Sequence, residues 1–91
     1  MVSIRIPTPL RGMTANKEEV DLEGATLATA LDDLDRRHPG MKDRLLNEKG
    51  KLRPYINIFL NDEDVRFLDG LDTALKAGDK LAIVPAIAGG R

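Results

Sequence analysis

The 91-residue sequence has no cysteine, no tryptophan and a single histidine, and its only aromatic side chains are one tyrosine and two phenylalanines. Without cysteine there is no disulfide, no thiolate nucleophile and no cysteine-ligated metal, and His38 alone cannot build a histidine cluster; no metal site is expected. Neither charge dominates. With 14 Lys+Arg against 15 Asp+Glu, and no basic stripe interleaved with aromatics, no nucleic-acid partner is expected. No apolar run approaches the ~20 residues of a membrane span. Met1-Val2-Ser3-Ile4-Arg5-Ile6 lacks the basic region and long apolar segment of a secretion signal, so the cytoplasm is the expected location. A chain of this length forms one domain that buries somewhat over ~60% of its unfolded surface, enough for a core but not for a deep catalytic cleft beside it. No active site of its own is expected.

What is present is a regular alternation of short elements. Val2, Ile4 and Ile6 alternate with Ser3 and Arg5, the period of a half-buried strand, which Pro7 and Pro9 end. Leu10 to Asn16 reads as a loop. Glu18 to Leu22 alternates again, with Val20 and Leu22 facing inward, and forms a hairpin with the first strand. Thr26 is an N-cap for a helix that places Leu27, Ala30, Leu31 and Leu34 on one face and Asp32, Asp33, Asp35, Arg36 and Arg37 on the wet side; His38-Pro39-Gly40 stops it. The three aspartates are balanced by neighbouring arginines, and His38 reads as a solvent-facing cap residue, so neither is taken as catalytic or metal-binding. Met41 to Leu46 is a short second helix and Asn47 to Lys51 a polar turn.

Tyr55 to Leu60 carries the strongest strand signal, with Ile56, Ile58 and Leu60 inward and Tyr55, Asn57 and Phe59 outward. Asn61 to Asp64 is a turn into a short strand, Val65-Arg66-Phe67; Asp72 to Lys76 is a helical turn; and Lys80 to Val84 is a last strand with Leu81 and Ile83 inward and Ala82 and Val84 outward. Phe59, Ala82 and Val84 then share an outer face, an apolar patch suited to a protein partner. Strand, strand, helix, strand, short strand, strand is the order of an α+β β-grasp fold, a mixed sheet of four to five strands crossed by one main helix, with first and last strands parallel in its middle. This domain is expected to span residues 1–85.

Pro85 ends the last strand, and Ala86-Ile87-Ala88-Gly89-Gly90-Arg91 follows as a flexible tail. Gly89 and Gly90 carry no Cβ, so the tail can lie extended in a narrow channel and bring its backbone close to a partner's catalytic groups. Such a tail suits an enzyme that acts on a main-chain carboxylate. A lone Gly-Gly is otherwise ordinary frayed chain, and the rest of the sequence has to decide.

Thr26-Leu27, the block Asn57-Ile58-Phe59-Leu60-Asn61-Asp62-Glu63-Asp64-Val65-Arg66, Leu71 to Gly78-Asp79, and Pro85-Ala86-Ile87-Ala88-Gly89-Gly90 together resemble the ubiquitin-like sulfur carriers of the ThiS/MoaD family, over nearly the whole chain. The Asn-Asp-Glu-Asp-Val-Arg-Phe block and the Pro-Ala-Ile-Ala-Gly-Gly tail look closest to the CysO-type carriers of cysteine synthesis, rather than to the thiamine or molybdopterin carriers. The resemblance implies a protein co-substrate. An E1-like adenylyltransferase would activate the Gly90 carboxylate with ATP, and a sulfur donor, a sulfurtransferase or sulfide, would displace AMP to leave a thiocarboxylate for a sulfur-accepting biosynthetic enzyme. No cofactor is bound by the carrier; ATP is consumed by its partner. The tail residues Ala88, Gly89 and Gly90 are the candidate site, with Phe59, Ala82 and Val84 as the partner surface.

Arg91 departs from the family pattern, in which active carriers end at the second glycine. Either a peptidase of the JAMM metal-dependent type cuts between Gly90 and Arg91, or Arg91 is foreign to the natural protein. Two other readings stay open: a protein modifier joined through Gly90 to lysines of a target, and a non-catalytic β-grasp interaction domain.

Overall fold

A computed structural model describes residues 1–85, so the tail site at Ala88, Gly89, Gly90 and Arg91 lies outside the described residues. Five strands and two helices are built from them: β1 (Val2–Arg5), β2 (Glu19–Leu22), α1 (Leu27–Arg37), α2 (Met41–Leu45), β3 (Ile56–Leu60), β4 (Glu63–Asp64) and β5 (Lys80–Pro85). The sheet order is β2-β1-β5-β3-β4. β1 and β5 run parallel at its centre and every other pair is antiparallel, which is the expected β-grasp.

The inner face follows the alternation. One rung runs Val20, Ile4, Leu81, Leu60 and Glu63 from edge to edge, and Ile58 pairs with Ile83 beside it. Ile4, Ile58, Leu81 and Ile83 are buried there against Leu27, Ala30, Leu31 and Leu34 of α1, which are fully buried. These four recur at helical spacing because only that spacing keeps one stripe against the sheet. The helix begins in a capping box: Thr29 N–H donates to Thr26 Oγ1 (3.3 Å) and Thr26 N–H donates to Thr29 Oγ1 (3.0 Å). Gly24, between β2 and this first turn, allows them to close up; a Cβ there would stand 2.5 Å from the Ala30 nitrogen.

Four expectations are corrected. Thr8–Thr14 is a 3-10 helix rather than a loop; Pro9 in its first turn forfeits no hydrogen bond, and the buried Thr14 hydroxyl meets the carbonyls of Arg11 and Lys17 at 3.2 and 3.1 Å. Such local tethers have no hydrophobic period to announce them. Val65–Phe67 is likewise a 3-10 turn, and the short strand is Glu63–Asp64 instead. Asn61 and Asp62 both adopt positive φ (49° and 73°), the two-residue turn that closes a hairpin on the Leu60–Glu63 pair, so β4 begins immediately. The helical turn expected at Asp72 to Lys76 is a 3-10 turn at Gly70–Asp72.

The fourth concerns Asp33, which is 4% exposed rather than on the wet side of α1. One carboxylate oxygen accepts from the Glu23 N–H (2.9 Å) and from Arg37 Nε (2.9 Å), and the other from Arg36. It thereby joins the helix to the end of β2. Among the described residues no helix is long and apolar enough to cross a membrane.

Candidate functional site

With the tail beyond the described residues, the site's visible part is the sheet face turned away from the helix. Residues paired across a sheet point to the same side, so the register defines an outer rung that runs Glu19, Arg5, Ala82, Phe59 and Asp64. Ala82 sits at its centre. Its methyl group is the smallest side chain on the rung, and the space above it is a shallow depression bordered by Arg5, Glu19, Phe59, Asn61, Asp62 and Lys80. Phe59 is half-buried along one wall, and one step toward the tail Val84, 44% exposed, pairs with Asn57. The structure therefore brings Phe59, Ala82 and Val84 together on one face.

The apolar area is narrow and its surroundings carry both signs. Arg5 and Glu19 flank it on the β1 and β2 side, Lys80 and Asp62 lie at the end by Asn61, and Asp64 lies on the β4 side. An apolar centre ringed by charges of both signs is the usual anatomy of a protein-binding face. Two aromatic side chains not placed in the patch by the sequence are more exposed than any in it: Phe67 at 82% and Tyr55 at 48%. A strand at Val65–Phe67 would put both side chains on one face; in the 3-10 turn that forms instead, Val65 is buried and Phe67 is turned to solvent.

One end of the depression is held rigid by the Asn61 side chain. Its Oδ1 accepts from Lys80 N–H (3.0 Å) and its Nδ2 donates to Asp79 Oδ1 (3.1 Å), while Asp79 Oδ2 accepts from Lys76 N–H (2.8 Å). The Lys76 amide and the Asn61 amide together hold the Asp79 carboxyl below its ordinary range. At the other end Arg66 reaches back from its turn to Asn57 and to the carbonyls of Arg53 and Ile56. The sequence offered no signal for this arm, because it depends on the hairpin that folds Arg66 back along β3.

Each aspartate of α1 is taken up by local hydrogen bonds or ion pairs. Asp33 is drawn from the ordinary 3.8 to about 2, chiefly by the Glu23 amide and then, against the cost of burial, by Arg37 and Arg36. A carboxylate so strongly ionised is a poor proton donor or acceptor near neutral pH. Asp32 pairs with Lys42, whose ammonium it keeps protonated to higher pH, and Asp35 Oδ1 accepts from Gly40 and Lys42 N–H (both 3.1 Å), tying down the start of α2. His38 ends α1, its N–H donating to Leu34 O. Among the described residues no three His, Asp or Glu side chains converge as a metal site would require.

The chain is 44% identical over 91 residues to the sulfur carrier protein CysO of Mycobacterium tuberculosis, covering 98% of each chain. In the crystal structure of an Amycolatopsis orientalis BexX/CysO complex a chain 48% identical superposes with a TM-score of 0.93, covering 99% of this chain and 100% of that one. Small archaeal modifier protein 3 of Haloferax volcanii is 37% identical over 68 residues, 75% of this chain and 73% of that one. The family model for ThiS matches residues 4–90, from within β1 through the Gly-Gly of the tail. A β-grasp sheet whose central strand leads directly into that Gly-Gly, matched along nearly its whole length, makes this chain a member of the ThiS family.

Proposed function

We propose that this protein is a sulfur carrier of the CysO type, a co-substrate that partner enzymes load and unload at Gly90. One observation carries the reading: the likeness to CysO extends over 98% of both chains, and the family match runs through Gly90. Fold alone would not suffice. The chemistry needs only a terminal carboxylate and access to it. An E1-like enzyme brings the Gly90 carboxylate to the α-phosphate of ATP, pyrophosphate leaves, and the acyl adenylate forms; a sulfur nucleophile then attacks the acyl carbon and AMP leaves, with sulfur now on Gly90. The thiocarboxylate passes its sulfur to a biosynthetic acceptor. Glycine at the last two positions lets the main chain approach these groups closely.

Phe59, Ala82 and Val84 are the surface we assign to the activating enzyme, since they lie on the strand that leads to the tail and on its neighbour. Arg91 must be removed first, by a peptidase of the JAMM type in this proposal, because the peptide bond to it leaves Gly90 no carboxylate to activate. The decisive assay is ATP–pyrophosphate exchange with a cognate E1-like enzyme, using the chain through Arg91, the chain ending at Gly90, and the latter with Gly90→Ala. Exchange is expected from the chain ending at Gly90 and not from the longer one. Gly90→Ala should lower it on the order of a hundredfold, the cost of a misplaced reacting group. Exchange supported equally by the untrimmed chain refutes the mechanism.

The likeness to an archaeal modifier favours one second reading, conjugation of Gly90 to lysines. Intact-mass spectrometry of protein from its native cells separates the two: a carrier shows exchange of oxygen for sulfur on the free chain, a modifier shows the chain attached to targets.

A further inference from the structure

Resting on the carrier reading, we propose that Arg66 is a positioning residue for the tail, bracing the stretch of sheet from which the tail departs. The argument begins with how β5 is held. Its ladder with β1 ends at the pair Arg5–Ala82, whereas its ladder with β3 continues through Asn57–Val84 to Ile56–Pro85. The last two residues before the tail are therefore aligned by β3. On its other edge β3 is covered by β4 only at Leu60 and Phe59, so its first residues, the ones that hold Val84 and Pro85, have no strand outside them.

Arg66 occupies that gap. One guanidinium nitrogen donates to Asn57 Oδ1, and the other donates to Ile56 O (2.7 Å) and Arg53 O (2.9 Å). Arg53 O also accepts from Ile56 N–H (3.0 Å), so the same carbonyl closes the turn that starts β3. The base of the arm is fixed, because Arg66 N–H donates to Asp64 Oδ1 (2.8 Å). Arg53 in turn donates from Nε (3.1 Å) and from a terminal nitrogen (2.9 Å) to Asp43 O on α2. The bracing thus runs from the helical layer through Arg53 and Arg66 into Ile56 and Asn57, the partners of Pro85 and Val84.

A planar fork is needed for this. Lysine offers a single ammonium and cannot reach across three acceptors fixed on one side of a strand. The bonds to Asn57 and Arg53 are solvent-exposed and the one to Ile56 O is part-buried, so their effect on global stability is small, but strand ends open at little cost in free energy and respond to small contributions. The effect should therefore be local, confined to the end of β5.

β5 supplies its own reporter pair. Ser3 N–H donates to Asp79 O, toward β1, and Asn61 N–H donates to Lys80 O, toward β3; by alternation the Val84 amide faces β3 and the Ile83 amide faces β1. The experiment compares the chain ending at Gly90 with its Arg66→Ala and Arg66→Lys variants. Amide hydrogen exchange at Val84 should rise about fivefold to tenfold in both variants, with Ile83 unchanged. In ATP–pyrophosphate exchange kcat should fall about fivefold in both, with KM within about twofold, since docking is retained and only delivery of the carboxylate suffers. The proposal is overturned if Val84 exchange does not change, if Ile83 accelerates equally and Arg66 is a general stabiliser, or if Arg66→Lys restores kcat and the arm serves as a charge for the partner. Should the unmodified chain support no exchange of pyrophosphate, the carrier reading fails, and the amide measurements still decide whether Arg66 braces the strand.

Discussion

Replacing Gly24 with alanine probes the closest approach between the sheet and the main helix. An ideal Cβ at this position stands 2.5 Å from the Ala30 nitrogen, 2.8 Å from its Cα and 2.8 Å from Thr29 Oγ1. The first two are main-chain atoms inside α1 and cannot rotate away. Ordinary contact begins at 3.4 Å, so the helix would have to recede by nearly 1 Å, taking Thr29 and its half of the capping box with it. Gly24 is outside the left-handed region, so the penalty is steric rather than conformational. Overpacking of this kind costs ~1–3 kcal/mol and loss of a helix cap ~1 kcal/mol, so Gly24→Ala should cost about 2–4 kcal/mol. Against the ~5–14 kcal/mol of a domain this size that is a large share. With an m-value near ~1.5 kcal/mol/M, the urea midpoint should fall by roughly 2 M. Gly12 is the control: nothing lies within 4 Å of its Cβ position, so Gly12→Ala should be neutral or stabilise by up to ~1 kcal/mol. A Gly24→Ala midpoint within about 0.3 M of the unaltered chain would show that the helix does not sit against this turn as described.

Asp33 makes stability depend on acid. Its carboxyl is ionised down to about pH 2 when folded and near 3.8 when unfolded, so its contribution is complete above the higher value and is lost as pH falls through the lower. Urea unfolding of the parent and Asp33→Asn should differ by a constant amount from pH 7 to about 5 and converge toward about pH 2; a gap that persists there refutes the assignment. Phe59→Asp sets a carboxylate beside Ala82 and next to Asp64 on the outer rung. It should raise the carrier's KM for the activating enzyme about tenfold or more while the melting temperature moves by no more than ~4 °C, whereas parallel losses would make Phe59 a core residue.

The parts of this fold legible in the sequence are those in which burial imposes a period. Leu27, Ala30, Leu31 and Leu34, or Ile56 and Ile58, must repeat as they do to reach one core, and the two proline-bounded strands at the chain's ends therefore stood out together with their outward residues. Thr26 was legible for a different reason, because a cap is chosen by local chemistry. Thr8–Thr14, Val65–Phe67 and Asp33 were not. The first two are tethered by single side chains and local carbonyls, without a stripe. Asp33 is charged and sits among charges in sequence, and only the end of β2, brought alongside by the sheet, makes it an interior residue. The same limit applies to the site: Phe59 and Ala82 were found by alternation, Arg66 and the exposure of Phe67 depend on a turn whose geometry resides in two positive φ angles.

The strand at the centre of the sheet is also the one the ribosome delivers last of the five. Until Lys80–Pro85 has emerged, β1 with β2 and β3 with β4 are two hairpins with no ladder between them, since β5 supplies both central pairings. Isolated hairpins are at best marginally stable in water. A chain broken off before this strand therefore lacks both the tail and the means to fold, and is left to proteolysis. Under the proposed carrier role, this would spare the cell a decoy: a well-folded surface that occupied the activating enzyme while offering it nothing to activate.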